Sequence, residues 1–276
     1  MPKNQFKEKY QNTNLLIPDP YDKRDYKFKD LVPVGAVKLP KNFESPELPL
    51  DKIFDQGQSS MCCACAFSSL RYMQESKATQ SGITDTFSPT FTYGNRLVGE
   101  DFEGMYMRSC CKKAKQDGSL PISVLSGFYT YPICKELVKK NEANYKKLAK
   151  PFRISSYYQC NSRTQMQTAI VETGAILVGI YVFNCFYKPN KTTGKISYNP
   201  LIDIRNDGGH AILLTGYKEV RGKLYWRVLN SWGTEWGQHG YAWLPENYPM
   251  LPDKYAIVDN ITEVKWKKYK EEHGLE

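Results

Sequence analysis

The sequence has 276 residues, 41% of them hydrophobic, and a formal net charge of +9 at pH 7. This length and apolar content are enough to bury a full core without disulfide crosslinks. No apolar run is long enough to cross a membrane, and the first residues contain no apolar signal-peptide segment. We therefore expect a cytoplasmic protein with free thiols and no membrane span, although non-classical export or association with a virion remains compatible with the sequence.

The positive charge does not by itself indicate a nucleic-acid partner. Basic residues are densest at 112–118 and 139–153, but acidic residues are interleaved along most of the chain. No aromatic-basic stacking module accompanies them, and lysines at helical spacing usually form a solvated surface. We expect no nucleic-acid partner and a monomeric protein.

Residues 1–50 differ from the rest of the chain in composition and in hydrophobic periodicity. They are rich in prolines and charges and show no sustained period of 2 or 3.6. Leu15, Leu16 and Ile17 are apolar enough to dock on a folded body. The segment is predicted to be an extended N-terminal arm that serves as a propeptide, as a lid or as a permanent part of the fold.

The remaining residues, 51–276, are predicted to form one α+β catalytic domain of two lobes with a cleft between them. From Cys62, apolar residues recur at helical spacing, and residues 88–97 and 104–118 indicate two further helices, the second ending at Gly118. After a short helix at 162–174, β-branched and aromatic residues predict strands. The helical lobe covers about 51–155 and the β-rich lobe about 156–276; the four predicted strands are 175–183, 210–217, 224–232 and 241–245.

Three cysteines, at positions 62, 63 and 65, lie at the predicted start of the first long helix. A thiolate at a helix N-terminus is stabilised by the positive end of the helix, which lowers the pKa of the thiol and suits a nucleophile. A nucleophile also needs a base. His273 lies in a polar tail and His239 in an apparent turn, whereas His210 opens an apolar strand after two glycines.

Asn230 and Trp232 follow in the stretch "LNSWGTEWG". An Asn side chain can hold an imidazole in one tautomer, and a neighbouring indole can shield that hydrogen bond from water. Cys62, His210 and Asn230 thus offer a nucleophile, a base and a residue that orients the base, in an order typical of papain-type cysteine peptidases.

The chain resembles the papain family of cysteine peptidases, and within it the bacterial and viral branch, which suggests a bacterial or viral origin. The segments that carry the resemblance are "DQGQSSMC" (55–62), "SPTFTY" (88–93), "GGHAILLTGY" (208–217) and "VLNSWGTEWGQHGYAWL" (228–244), with a leader at 17–28. The resemblance implies a two-lobed fold with a helical N-terminal lobe and an antiparallel, β-barrel-like C-terminal lobe. It also implies a cysteine endopeptidase that needs no cofactor and acts on proteins or peptides through a thioester.

The resemblance also assigns roles to individual residues. A Gln six residues before the nucleophile supplies an oxyanion donor in the family, and this spacing pairs Gln56 with Cys62. Trp232, through its indole beside Asn230, is expected to support His210. Gly104 and Gly209 are expected to bind the substrate backbone.

Three positions near the nucleophile depart from the family pattern. Ser59 replaces a cysteine that forms a disulfide in secreted members, which agrees with a reducing compartment. Met61 replaces a small residue before the nucleophile, and Cys63 replaces the usual Trp after it. These two substitutions leave every catalytic group in place, and the bulky Met61 is expected to affect substrate access and rate.

Other interpretations compete with a peptidase. Cys62 and Cys65 also form a C-x-x-C motif, although the preceding residues do not read as the strand that a thioredoxin-like site requires. A zinc site built from Cys62, Cys65 and the adjacent pair Cys110 and Cys111 is weak because adjacent cysteines chelate poorly, so no metal is expected. A catalytically impaired papain-like binding module and a related amidase or acyl transferase remain alternatives.

Overall fold

The computed structural model describes residues 5–79, 85–259 and 270–272. Helices fill most of the first half of the chain and one antiparallel sheet fills most of the second, so the predicted α+β class is confirmed. The helices are α1 (Gln5–Tyr10), α2 (Phe28–Leu31), α3 (Cys62–Thr79), α4 (Pro89–Gly94), α5 (Met107–Gln116), α6 (Tyr131–Lys139), α7 (Glu142–Ala149) and α8 (Arg163–Thr173). The strands are β1 (Phe43–Glu44), β2 (Ser156–Gln159), β3 (Ile176–Phe183), β4 (Arg205–Val220), β5 (Lys223–Leu229), β6 (Tyr241–Pro245) and β7 (Met250–Val258).

The ends of the helices follow the local chemistry of the sequence. Ser88 caps α4 by accepting a hydrogen bond from the Phe91 N–H, and Ser162 caps α8 in the same way. Gly174 follows α8 with a φ of 88°, a left-handed conformation that favours glycine. Capping serines therefore mark where two of the predicted helices begin.

The sheet has the strand order β2-β7-β3-β4-β5-β6, with β1 paired to β4. Each pairing is antiparallel. In the described part of the chain the end strands β2 and β6 do not pair with each other. The C-terminal lobe is thus an open antiparallel sheet rather than a closed barrel.

One large hydrophobic cluster joins the two lobes, and a second lies mainly within the C-terminal lobe. One lies around α3 and α5 and extends to residues of β4 and β7, and the other lies between the opposite side of the sheet and α8. Helix α3 contacts β4 directly, which fixes the first residues of α3 against the start of the apolar part of β4. This contact between the lobes positions the site described below.

The described part of the N-terminal segment packs against the body of the protein. It contains the short helices α1 and α2, where the sequence predicts extended chain, and β1, which joins the sheet. Helices α6 and α7 were also missed by the sequence analysis, which assigned their lysines only to a solvated surface. The predicted domain boundary at residue 50 stays a prediction.

Within the described residues, no helix is long and apolar enough to span a membrane.

Candidate active site

The first residue of α3 is Cys62, which is 1% exposed. Its sulfur lies against the backbone N–H of Ala211, the residue that follows His210 in β4. The contact between the two lobes therefore places the predicted nucleophile beside the residue that follows the predicted base, although 148 residues separate Cys62 from His210 in the sequence.

The His210 ring is held by Asn230. Its Nε2 lies 2.7 Å from Asn230 Oδ1, and the Ser231 N–H donates to the same oxygen over 2.9 Å. Because two groups converge on an oxygen that only accepts, the Nε2 of His210 carries the proton and Nδ1 has a free lone pair. Nδ1 is buried and makes no hydrogen bond within the described part of the protein, so it is available to accept a proton.

Aromatic rings enclose this pair. The Trp232 ring lies 5.0 Å from the His210 ring, and Phe186 packs edge-on at 6.0 Å. Asn230 is only 3% exposed beneath them. A buried hydrogen bond is stronger than an exposed one because water does not compete for its partners. Trp232 therefore lies where the sequence predicts a supporting residue.

Gln56 is fully buried and fixed at both ends of its amide. Its Nε2 donates to Ser59 O over 2.8 Å, and its Oε1 accepts from Ser231 Oγ over 2.7 Å. The Gln56 backbone N–H donates to Ser231 O over 2.8 Å, which ties the segment before α3 to the chain after Asn230. The hydrogen bond to Ser59 O uses one of the two Nε2 hydrogens of Gln56, and the other remains for a ligand.

The N-terminal arm runs across this site. Leu16 N–H donates to Gly209 O over 2.9 Å, and Ile17 N–H donates to Met105 O over 3.3 Å. A Cβ added to Gly104 would lie 1.9 Å from Leu15 O, so only glycine allows the arm to approach so closely. The two glycines predicted to bind substrate thus both contact the protein's own arm.

On the other side of the site, α1 covers Trp232. The Tyr10 ring stacks on the indole with centroids 4.7 Å apart and an interplanar angle of 6°. The Tyr10 hydroxyl donates to Asp55 over 2.6 Å, and the Lys9 ammonium lies 2.7 Å from the same carboxylate. The arm therefore has contacts on both sides of Cys62 and His210.

Burial determines the protonation of Cys62 and His210, the candidate catalytic pair. Desolvation raises the pKa of Cys62 to about 12, despite the hydrogen bond from Ala211. Desolvation also lowers the pKa of His210 to about 4, against the opposing effect of its hydrogen bond to Asn230. Both shifts favour the neutral thiol and neutral imidazole. The lowered Cys62 pKa expected from the helix N-terminus is not found, because the loss of water outweighs the backbone hydrogen bonds to the sulfur.

Met61, which departs from the family pattern, is fully buried. Its sulfur accepts the N–H of Tyr129 over 3.4 Å, so the side chain packs against the segment before α6.

The sequence analysis missed Met105, whose carbonyl contacts the arm directly. The only available signal was its position next to Gly104.

No group of three or more His, Cys, Asp or Glu residues in the described ranges is arranged to hold a metal ion.

Comparisons with known proteins agree with this geometry. The family described as "Papain family cysteine protease" matches residues 39–258. Cathepsin C of Schistosoma mansoni is 26% identical over 228 residues, which cover 77% of this chain and 49% of that protein. Cathepsin K of Mus musculus is 25% identical over 243 residues, which cover 86% of this chain and 65% of that protein. The chain thus spans less than two thirds of the length of either relative.

The crystal structure of xylellain, a cysteine protease from Xylella fastidiosa, has the same fold. It superimposes with a TM-score of 0.74 over 91% of this chain and 97% of that chain, at 23% sequence identity. At this identity the likeness shows the fold alone.

Proposed function

Because the chain belongs to the papain family of cysteine proteases, we propose that it is a cysteine endopeptidase that hydrolyses peptide bonds through a thioester on Cys62. One observation carries the proposal: the Cys62 sulfur lies beside Ala211, the residue that follows His210. Asn230 fixes the His210 ring by a hydrogen bond to Nε2, which leaves Nδ1 without a hydrogen bond and able to accept a proton. A nucleophile next to an oriented base is the arrangement that acyl transfer requires.

The proposed reaction begins when His210 Nδ1 takes the Cys62 proton and the sulfur attacks the scissile carbonyl. The free Nε2 hydrogen of Gln56 and the Cys62 backbone N–H stabilise the oxyanion. His210 then protonates the leaving amine and afterwards activates a water that hydrolyses the thioester. Asn230 keeps the ring in place through both steps.

We also propose that the arm holds the enzyme in a latent state. Leu16 and Ile17 use the backbone groups of Gly209 and Met105 that a substrate strand would need, and Tyr10 covers Trp232. Since burial keeps Cys62 as a thiol and His210 neutral, arm release would admit water and bring the two pKa values toward those of a thiolate–imidazolium pair. Residues 1–50 would then act as a lid or a removable segment.

The test of the peptidase assignment is cleavage of an unfolded protein substrate, followed by mass spectrometry of the products. We expect new peptide termini with the wild type and none with Cys62→Ala, whereas Cys65→Ala on the same helix keeps the activity. Release of ammonia from small amides without peptide cleavage would instead establish an amidase. Cleavage that survives Cys62→Ala would disprove the assignment of the nucleophile.

We propose that the protein acts as a monomer on protein or peptide substrates and binds no nucleic acid. The interleaved charges and the contacts of both lobes and the arm within one chain support this. Light scattering at working concentration tests it: a mass near 31.8 kDa is expected. The cytoplasmic location stays a prediction.

A further inference from the structure

Two cysteines that the proposed mechanism does not use lie in contact next to the active site. The Sγ atoms of Cys63, in the first turn of α3, and Cys110, in the first half of α5, are 3.4 Å apart. Both side chains are fully buried. Cys110 Sγ also lies 3.4 Å from Met105 Sδ, in the segment whose carbonyl binds the arm.

We propose that Cys63 and Cys110 form a redox-sensitive disulfide that crosslinks α3 to α5 and leaves Cys62 free. The two sulfurs need to approach by about 1.4 Å to reach the length of a disulfide bond. Such a small movement is within reach of side-chain rotation in two helices that already pack together. The inference does not depend on the peptidase assignment.

The geometry selects this pair among the eight cysteines. In the part of the chain that the structure describes, Cys63 and Cys110 form the one contact between two cysteine sulfurs. Adjacent helical residues point about 100° apart. Cys62 therefore faces the N–H of Ala211 in the other lobe while Cys63 faces α5, and Cys111 points away from the direction of Cys110.

The oxidant that we propose is a low-molecular-weight disulfide such as oxidised glutathione. The thiolate of one cysteine attacks a sulfur of the glutathione disulfide, forms a mixed disulfide and expels one glutathione thiolate. The second cysteine loses its proton to solvent and attacks the protein sulfur of that mixed disulfide, which expels the second glutathione. The protein loses two S–H bonds and gains one S–S bond, and its two electrons pass to glutathione.

Burial controls when this exchange can occur. Desolvation raises the pKa of both Cys63 and Cys110, so both stay protonated in the closed lobe. Only the thiolate exchanges, and therefore oxidation requires that α3 and α5 separate transiently or that the chain meets the oxidant while it folds. The two cysteines would stay reduced in a reducing compartment and form the disulfide in an oxidising one.

The test compares the full-length protein after equilibration with reduced and with oxidised glutathione, both in the native state and after refolding from denaturant. Free thiols are alkylated under denaturing conditions, and the peptides are mapped by mass spectrometry. We expect one crosslink between the peptides that contain Cys63 and Cys110, with Cys62 alkylated in both forms. We expect the oxidised protein to melt about 5 °C or more above the reduced one.

Single-cysteine variants test whether the crosslink uses Cys63 and Cys110 rather than the cysteines near them. Cys110→Ala and Cys63→Ala should abolish both the crosslink and the difference in melting temperature between the two conditions. Cys111→Ala, the matched control on the same helix, should retain both. A crosslink through Cys62, Cys65 or Cys111 would overturn the inference. So would alkylation of all eight cysteines after both native equilibration and oxidative refolding.

Discussion

Leu16 offers a direct test of the arm as a latch, through the substitution Leu16→Ala. Its side chain is 3% exposed, belongs to the same hydrophobic cluster as Leu251 and lies against Gly179: a Cβ added to Gly179 would come within 2.9 Å of Leu16 Cδ2. The Leu16 N–H also donates to Gly209 O, a contact that alanine preserves. The substitution thus removes apolar packing and leaves the backbone hydrogen bond.

The expected effect follows from the size of the buried side chain. Truncating a buried Leu to Ala costs about 2–5 kcal/mol, and the lower part of that range applies where the arm can resettle. A loss of about 2–3 kcal/mol from docking raises the undocked fraction about 30- to 150-fold. As long as the undocked fraction stays small, the rate of Cys62 modification by a small reagent is proportional to that fraction, so the rate rises by the same factor.

The assay is the rate of Cys62 alkylation by iodoacetamide in the full-length protein, measured by peptide mapping at fixed pH. Tyr21→Ala is the control, because Tyr21 lies in the same arm and is 90% exposed. We expect a much faster rate for Leu16→Ala and an unchanged rate for Tyr21→Ala. Equal rates in the wild type and Leu16→Ala would show that the docked arm does not limit access to the nucleophile.

Three further predictions concern the chemistry and its pH dependence. Gln56→Ala should lower kcat about 100- to 1000-fold with little change in KM, while the exposed Gln58→Ala leaves both constants unchanged. Asn230→Ala should lower kcat about 5- to 30-fold and shift the acidic limb of the pH profile, because the ring of His210 loses its buried partner; an unshifted profile would contradict a positioning role. Asp253 accepts the N–H of Asp19 in the arm, and burial together with the Asp19 charge raises the pKa of Asp253 from 3.8 to about 6. The docked state therefore binds an extra proton between these two values, and docking weakens as the pH rises through this range. The alkylation rate of the wild type relative to the arm variant above should therefore increase over that range, and Asp253→Asn should flatten the increase.

Much of the fold follows from local patterns in the sequence. The predicted strand at 241–245 coincides with β6, and the helix predicted over 162–174 differs from α8 by one residue at each end, because a serine cap and a glycine mark its limits. Helices α6 and α7 were missed because runs of lysine mask their narrow buried faces. The strand β7 was missed because its apolar residues do not alternate regularly.

The sequence by itself determined the chemistry available to this protein. The spacing of Gln56, Cys62, His210 and Asn230 within matching family segments identified the candidate residues, because catalysis demands particular groups in a particular order. The protonation state of those groups depends on their exposure to water, and the contacts between distant segments decide which of them are buried. Only the tertiary structure showed that the arm brings Leu16 into contact with Gly209, and that the burial of Cys62 and His210 favours the neutral thiol and imidazole.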